Sequence, residues 1–301
     1  APPSPEKLEN APSFKTEVMP VLATNCASCH NTDAMGSHHW KLDTAQDAST
    51  YAHALGVVTT ARYMPPWPAS DKGVPLAHSK ALDERTIAML AEWADAGGPL
   101  DVAEDTPIRP SAQAKVTKIR KDKSLEMPKP YTGSLANRND YRCFEIDPGL
   151  TEATFITGFE FIPDQIKQIH HAQVFQIAAS ARASLQQLEG TNLAKVPDGQ
   201  PGWSCYTGTG AGAAVSASGE KSAGSKLIGG WAPGQDPASF KGAGILFQPG
   251  DTVVLQMHYH YADSVTPDQS SFVMQTEPGT SSLREITVMN PLAPVEIPCP
   301  P

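Results

Sequence analysis

The sequence lacks a long apolar run, and no segment approaches the roughly 20 consecutive apolar residues that a membrane-spanning helix requires. It also lacks an excess of basic residues, because 23 lysines and arginines stand against 32 aspartates and glutamates, for a formal net charge of -9. This mildly acidic balance argues against nucleic acid as a partner. The 28 prolines and 23 glycines follow no period, which excludes collagen-like and low-complexity chains and predicts many turns.

The length of 301 residues is typical of two or three domains. The chain begins APPSPEK, without an initiator methionine and rich in proline, which predicts a disordered N-terminus over residues 1–10. Such a start is expected of a mature bacterial protein, periplasmic or secreted, from which a signal peptide has been removed. A trimmed chain would begin in the same way.

The residue pattern changes twice along the chain. Residues 11–100 carry apolar residues at helical spacing, most clearly in LDERTIAMLAEWADAGGP, where Asp83 starts a predicted helix and Gly97 ends it. Residues 101–130 are polar, Pro-rich and partly basic, which predicts a linker, with a docking patch for a redox partner as the alternative. Residues 131–301 contain short β-type runs between turn residues. We therefore expect a multidomain α plus β protein, with an all-α domain followed by an antiparallel, jelly-roll-like β-sandwich.

The chain has five cysteines, and their positions are informative. Cys143 and Cys205 could pair in an oxidising compartment. Cys299 then has no partner, so either the natural chain continues to one or Cys299 is a free thiol. The other two, Cys26 and Cys29, belong to a single motif.

That motif is CASCH, in which Cys26, Cys29 and His30 have the C-x-x-C-H spacing of covalent haem c attachment. Two thiols one helical turn apart can form thioethers to the haem vinyl groups, and the adjacent histidine is then held under the iron as its proximal ligand. A redox or zinc C-x-x-C motif followed by a chance histidine is the alternative. A thioredoxin-like site would need a βαβ context, which this pattern lacks.

The sixth ligand of such an iron must come from elsewhere in the chain. We predict Met64, because Pro65 and Pro66 prevent a helix and leave a rigid, extended loop that can press a thioether onto the iron. Met89 lies inside a predicted helix, where a packing role is expected. The remaining candidates are Met35, His38, His39, His53 and His78.

Taken in order, CASCH, MPPW and LDERTIAMLAEWADAGGP resemble a class I type monohaem cytochrome c domain over residues 11–100. The resemblance implies a haem c ligated by His30 and Met64. Such a His/Met-ligated haem has a raised reduction potential and serves as an electron carrier rather than an oxygen binder.

Four histidines fall in the β-type region, His170 and His171 side by side and His258 and His260 two residues apart. Residues two apart on a strand share a face, whereas adjacent residues point to opposite faces. If the two strands are neighbours, three or four imidazoles converge, and such a set suits copper, zinc, iron or nickel. The lack of carboxylates and thiolates in the set, together with the haem motif, favours a metal that changes valence. The alternative is that these histidines are structural.

Five further segments, YRCFEI, FITGFEFIP, IHHAQVF, LIGGWAPG and FQPGDTVVLQMHY, occur in an order that resembles the N-terminal domain of copper type II, ascorbate-dependent monooxygenases. This family includes peptidylglycine α-hydroxylating and dopamine β-monooxygenases, and the resemblance covers about residues 131–290. It implies that His170, His171 and His258 bind one copper ion as an electron-storing site. It also implies a strand distorted at the adjacent pair, so that both rings can turn toward one ion.

The same resemblance implies a disulfide at Cys143, for which Cys205 in GWSCY is the plausible partner. His260 has no counterpart in the family pattern. Its role stays open between a neighbour of the ligands, a fourth ligand and a surface residue.

The family also has a second β-sandwich, which binds an oxygen-activating copper through an H-x-H pair and a methionine. No histidine follows His260, so this C-terminal copper domain is expected to be missing from the chain. The alternative makes His258 and His260 the oxygen-site pair, with Met274 or Met289 supplying the thioether.

These expectations combine into one function. Electrons pass from an external donor, a small reductant or a redox protein, through haem c to copper. The whole enzyme is then a copper-dependent monooxygenase that uses O2 to hydroxylate a C–H bond of a small-molecule or peptide substrate, and this chain is its incomplete electron-delivery part. The alternatives are a stand-alone periplasmic electron-transfer or copper-binding cytochrome without hydroxylase activity, and a structural sandwich with an attached cytochrome and no metal in the sandwich.

Overall fold

Most of the regular structure of the chain is β-sheet. The computed structural model describes residues 11–67, 79–111, 117–191, 199–206, 208–211 and 224–287, without the side chains of Met35 and His38. Within these residues the chain forms eleven strands in two sheets and five short α-helices. It divides into two units, Ala1–Lys115 and Val116–Pro301. The predicted disordered segment 1–10 and Cys299 lie outside the described residues.

The predicted fold class, which included a large all-α cytochrome c domain over residues 11–100, is wrong. The helices in the described part of this region are short, and the longest spans 12 residues. Apolar residues keep a helical spacing over much of this region, but the region is divided into short helices by residues at which a helix ends. Arg62, for example, has a positive φ of 57°, and Pro65 and Pro66 follow, where a helix cannot continue.

The described part of Ala1–Lys115 contains four of the α-helices. They are α1 (Met19–Asn25), α2 (Ala45–Thr50), α3 (Ala52–Thr60) and α4 (Glu84–Asp95), with a π-helical turn at Phe14–Val18 and a 3-10 turn at Met35–His38. Each α-helix contributes to one buried cluster, for example through Leu22, Ala48, Leu55 and Leu90. Among the described residues, no helix of the chain has both the length and the apolar character needed to cross a bilayer.

Helix α4 confirms the clearest helix predicted from the sequence. Asp83 caps its first turn, because its carboxylate accepts a hydrogen bond from the Thr86 amide at 2.8 Å. Trp93 and its apolar neighbours at helical spacing are buried on one face. The helix then ends before Gly97 and Gly98, which both adopt positive φ angles of 85° and 68°.

The unit Val116–Pro301 contains the two sheets. The strands are β1 (Lys123–Glu126), β2 (Asn139–Ile146), β3 (Thr154–Ile162), β4 (Ile169–Ile177), β5 (Trp203–Ser204), β6 (Ser225–Trp231), β7 (Ala238–Ser239), β8 (Ala243–Phe247), β9 (Thr252–His260), β10 (Ser271–Pro278) and β11 (Arg284–Glu285), and a 3-10 turn at Ala179–Ala181 leads into α5 (Arg182–Gln186). One sheet has the order β1-β10-β3-β8-β11, with β7 paired to β3, and the other has the order β5-β2-β9-β4-β6. All described strand pairs are antiparallel except β8 with β11.

The central strand β9 shows how the sheets bury their apolar side chains. Val253, Leu255 and Met257 belong to a core that also contains side chains from the other sheet. On the opposite face, Val254 belongs to a smaller cluster with Trp203, Leu185 of α5, Cys143 of β2, and Cys205, which follows β5. That cluster covers the first half of this outer face, and His258 follows on the same face near the end of the strand.

Candidate metal centre

The three histidines predicted to bind copper come together where β4 pairs with β9. His171 lies directly opposite His258 in the antiparallel register. The register shifts between Ile169 and His171, so His170 is an extra residue in the strand. In a regular strand His170 and His171 would point to opposite faces, and the predicted distortion is therefore present at the adjacent pair.

As a result, one nitrogen from each of His170, His171 and His258 lies within 4.8 Å of the other two. The Nδ1 atoms of His170 and His171 are 3.0 Å apart. Nitrogens that share one first-row metal ion at about 2 Å are themselves about 3–4 Å apart. The arrangement can therefore hold a metal ion among three imidazoles.

The environment of His258 fits such an ion. The residue is only 8 % exposed, and neither Nδ1 nor Nε2 has a hydrogen-bond partner among the described residues. A buried polar atom without a partner costs about 1–3 kcal/mol, so native proteins rarely leave one. A metal ion at this position would satisfy one of the two nitrogens. His171 is half-buried and His170 is exposed, so the group runs from the protein interior to its surface.

The electrostatics of the group favour neutral rings. Burial, followed by the nearby His171, lowers the pKa of His258 to about 4. Burial is also the main cause that lowers the pKa of His170 and of His171 below the ordinary histidine value, followed by repulsion from another histidine in each case. Neutral imidazole is the form that binds metals, so the three rings are ready to bind one near pH 7.

His260 lies next to this group but is not part of it. Its Nδ1 is 3.1 Å from the Asn139 side-chain oxygen on β2. Met274, the alternative thioether, is fully buried in the core between the sheets, on the other side of β9 from His258. The structure therefore does not bring Met274 to the histidines, and Met289 lies outside the described residues.

Two tyrosines near the histidines were not predicted from the sequence. The Tyr141 ring stacks on His258, with 4.0 Å between ring centroids and 9° between the planes. Tyr206 meets Tyr141 edge to face, at 4.8 Å and 82°. The disulfide between Cys143 and Cys205, which confirms the predicted pairing, lies beside both tyrosines in sequence.

The C-x-x-C-H segment forms a compact turn after α1. The amides of Cys29 and His30 both donate to the Cys26 carbonyl, at 3.1 and 3.0 Å. Neither cysteine is in a disulfide, and burial raises the pKa of the Cys26 thiol to about 12. His30 is buried, and its Nδ1 is 3.0 Å from the Trp40 carbonyl oxygen, which leaves Nε2 for a ligand. A metal-binding histidine is commonly oriented in this way, so these residues fit a proximal haem ligand.

The predicted sixth ligand, Met64, is half-buried just beyond α3, and its amide donates to the Val58 carbonyl at 3.2 Å. Its pairing with His30 stays a prediction. Among the other candidates, Met89 packs against the helical core, whereas His39 and His53 are exposed. His78 and the side chains of Met35 and His38 are outside the described part of the chain.

No protein-family model matches this sequence, and no curated protein matches it. The resemblances to cytochromes c and to copper monooxygenases therefore stay predictions. The geometry of the histidine group and of the C-x-x-C-H turn is what remains to indicate a function.

Proposed function

We propose that the chain binds copper through His170, His171 and His258 and carries haem c at Cys26 and Cys29. In this proposal it is the electron-delivery part of a copper-dependent monooxygenase that hydroxylates a C–H bond with O2. The observation that carries the proposal is the convergence of three imidazoles at a strand bulge, where the described residues offer no hydrogen-bond partner to the nitrogens of the buried His258 ring.

Copper is the metal ion that fits this histidine group best. The group consists of imidazoles alone, a ligand set that suits copper, zinc, iron and nickel. An electron carrier in the same chain would have no use for a metal that keeps one valence, so the haem motif favours copper over zinc. Bound there, copper would alternate between Cu(II) and Cu(I) and thereby store one electron. The residues supply neutral donors, one fixed in the interior of the sheet and one open to solvent.

The C-x-x-C-H turn supports the haem half of the proposal without an all-α cytochrome fold. Cys26 and Cys29 would form the thioethers, and His30 would offer Nε2 to the iron. The Trp40 carbonyl next to Nδ1 holds the imidazole in that orientation. We propose Met64 as the second axial ligand and an external reductant, a small molecule or a redox protein, as the electron donor.

The disulfide between Cys143 and Cys205 supports an oxidising compartment, so we propose a periplasmic or secreted protein. The substrate is proposed to be a small molecule or peptide with an activated C–H bond. Oxygen activation would require a second copper domain, as in the resembling family. In this proposal His170, His171 and His258 hold the copper that accepts and stores electrons, and hydroxylation takes place at that second copper.

Metal analysis and electron paramagnetic resonance of the haem-loaded protein test the proposal. We expect one copper per chain with a type II Cu(II) signal that a reductant abolishes and air restores. His170→Ala should remove the signal and leave the haem absorption spectrum unchanged. His260→Ala is the matched control, because it removes a neighbouring imidazole outside the group, and it should retain copper. Stoichiometric copper in His170→Ala would show that the ligands are assigned wrongly, and preferential binding of zinc would overturn the redox role.

A stand-alone electron-transfer or copper-binding protein is the second candidate function. It would need only the metal-binding group that the described residues provide, namely His170, His171 and His258. Sequencing the gene downstream separates the two. A further H-x-H pair followed by a methionine would support the monooxygenase.

A further inference from the structure

The orientation of His258 has an unusual cause. A metal-binding histidine commonly donates its second ring nitrogen to a carboxylate or carbonyl, which fixes the ring. His30 has such a neighbour in the Trp40 carbonyl at 3.0 Å. His258 has none, because both of its buried nitrogens lack a hydrogen-bond partner among the described residues. Another contact must therefore hold this ring.

Tyr141 makes that contact. It lies directly opposite His258 in the β2–β9 register, where side chains on one face are neighbours. The two rings are nearly parallel, with planes 9° apart and centroids separated by 4.0 Å. Stacking at this distance restricts the tilt of both rings.

Tyr141 is itself held by its surroundings. Its carbonyl accepts a hydrogen bond from the Cys205 amide at 3.1 Å, and Cys205 is fixed to β2 by the disulfide to Cys143. Tyr206, which follows Cys205, packs edge to face against the Tyr141 ring. The stacked ring thus belongs to a cross-linked part of the sheet rather than to a mobile side chain.

We propose that Tyr141 is a positioning residue of the metal centre, whose ring sets the plane of the His258 imidazole in place of the missing hydrogen bond. The inference rests on the proposed function in one respect, which is that the histidine group binds a metal ion. Stacking fixes the ring plane but selects neither nitrogen. The orientation of the His258 ring plane determines the direction in which either ring nitrogen points relative to His170 and His171.

Substitution at Tyr141 tests this role. Tyr141→Leu removes the aromatic face, and we expect Cu(II) affinity to fall by about tenfold or more, the size of effect seen when an orienting partner of a ligand is lost. The copper hyperfine splitting in the paramagnetic resonance spectrum should change as well. Tyr141→Phe is the matched control, because it keeps the ring, and it should stay within about twofold of wild type in affinity with an unchanged spectrum. Affinity is measured by competition with a chelator.

Three outcomes are separable. Wild-type protein that binds copper, with a folded Tyr141→Leu variant of equal affinity and identical spectrum, overturns the positioning role alone. Wild-type protein that binds no copper overturns the proposed function and the positioning role together. If Tyr141→Leu does not fold, Tyr141→Ile provides the same comparison, because a β-branched side chain suits a strand and also lacks an aromatic face.

Discussion

Replacing His258 with phenylalanine should stabilise the metal-free protein while it removes metal binding. Both ring nitrogens of His258 are buried without a partner in the described structure, and each such atom costs about 1–3 kcal/mol. Phenylalanine removes both atoms and keeps a planar ring for the stack with Tyr141. Accommodating the larger ring costs about 1–3 kcal/mol. The two atoms together cost about 2–6 kcal/mol, so we expect a net gain of about 2 kcal/mol in the free energy of unfolding.

The gain should increase at acidic pH. The folded-state pKa of His258 is about 4, below the ordinary value of 6.5, so the fold favours the neutral ring. This contribution to stability is complete above pH 6.5 and is lost as the pH falls from 6.5 towards 4, because the unfolded chain takes up the proton first. Phenylalanine does not titrate, so the stability difference between variant and wild type should widen over this window.

Calorimetry in the presence of a chelator measures the effect. Added Cu(II) identifies the relevant transition, since ligand binding raises the midpoint of the unit that contains the site. For His258→Phe we expect that midpoint to rise by about 4–8 °C without metal and to be insensitive to Cu(II). His260→Phe is the matched control, because this imidazole lies on the same face of β9 but interacts with Asn139. It should give no gain, and equal stability of wild type and both variants in chelator would refute the reasoning.

Three further predictions concern the metal site and the two units. Copper affinity, measured by chelator competition, should change little between pH 7.5 and 6 and should decrease below pH 6. The reason is that burial lowers the pKa of all three histidines, and that of His258 to about 4. A decrease in affinity centred at pH 6.5 would contradict this prediction. Replacing Cys143 and Cys205 together by serine should lower the free energy of unfolding by about 4 kcal/mol, measured by urea denaturation, because the disulfide closes a loop with a sequence separation of 62 residues. Full stability of this variant would mean that the cross-link does not constrain the unfolded chain. Asp83→Ala should lower the thermal midpoint of the helical unit through loss of its cap on Thr86, measured by thermal unfolding, whereas Asp83→Ser should retain most of the stability.

Each histidine pair is a local signal in the sequence, whereas the pairing of β4 with β9 that brings the pairs together was implied only by the family resemblance. Alternation on a strand puts His258 and His260 on one face, and the adjacent pair His170 and His171 requires a distorted strand if both rings are to reach one ion. The bulge in β4 has this position. Alternation could not separate His258 from His260, because the difference depends on Asn139, which only the pairing of β2 with β9 brings near.

The helical half shows the limit of the same reasoning. Apolar spacing reports which face of a segment would be buried if it were a helix, but it does not fix where the helix ends. The strong cap at Asp83 and the glycines after α4 made that helix predictable. Elsewhere in residues 11–100 the capping box of Thr44 with Asp47 starts a helix of only six residues, and the large all-α domain does not form.

The tyrosines could not be found from the sequence for a different reason. Tyr141 and His258 are far apart in the chain, and their contact exists only because β2 and β9 pair in one particular register. A shift of one residue would move Tyr141 to the core face and leave His258 without the stack. Residue patterns within a strand do not determine how that strand is aligned with a strand far away in the sequence.

The burial of His258 links stability to function in this site. A buried imidazole without partners raises the free energy of the metal-free protein, and a bound metal ion relieves part of that cost. The affinity of the site therefore includes a contribution stored in the fold, beyond the bonds to the ion itself. His170, at the exposed end, carries little of this cost and gives solvent access to the group. An ion should thus enter at His170 and gain most of its additional stabilisation at His258. For the same reason His170→Ala should change the stability of the metal-free protein little, whereas His258→Phe should increase it.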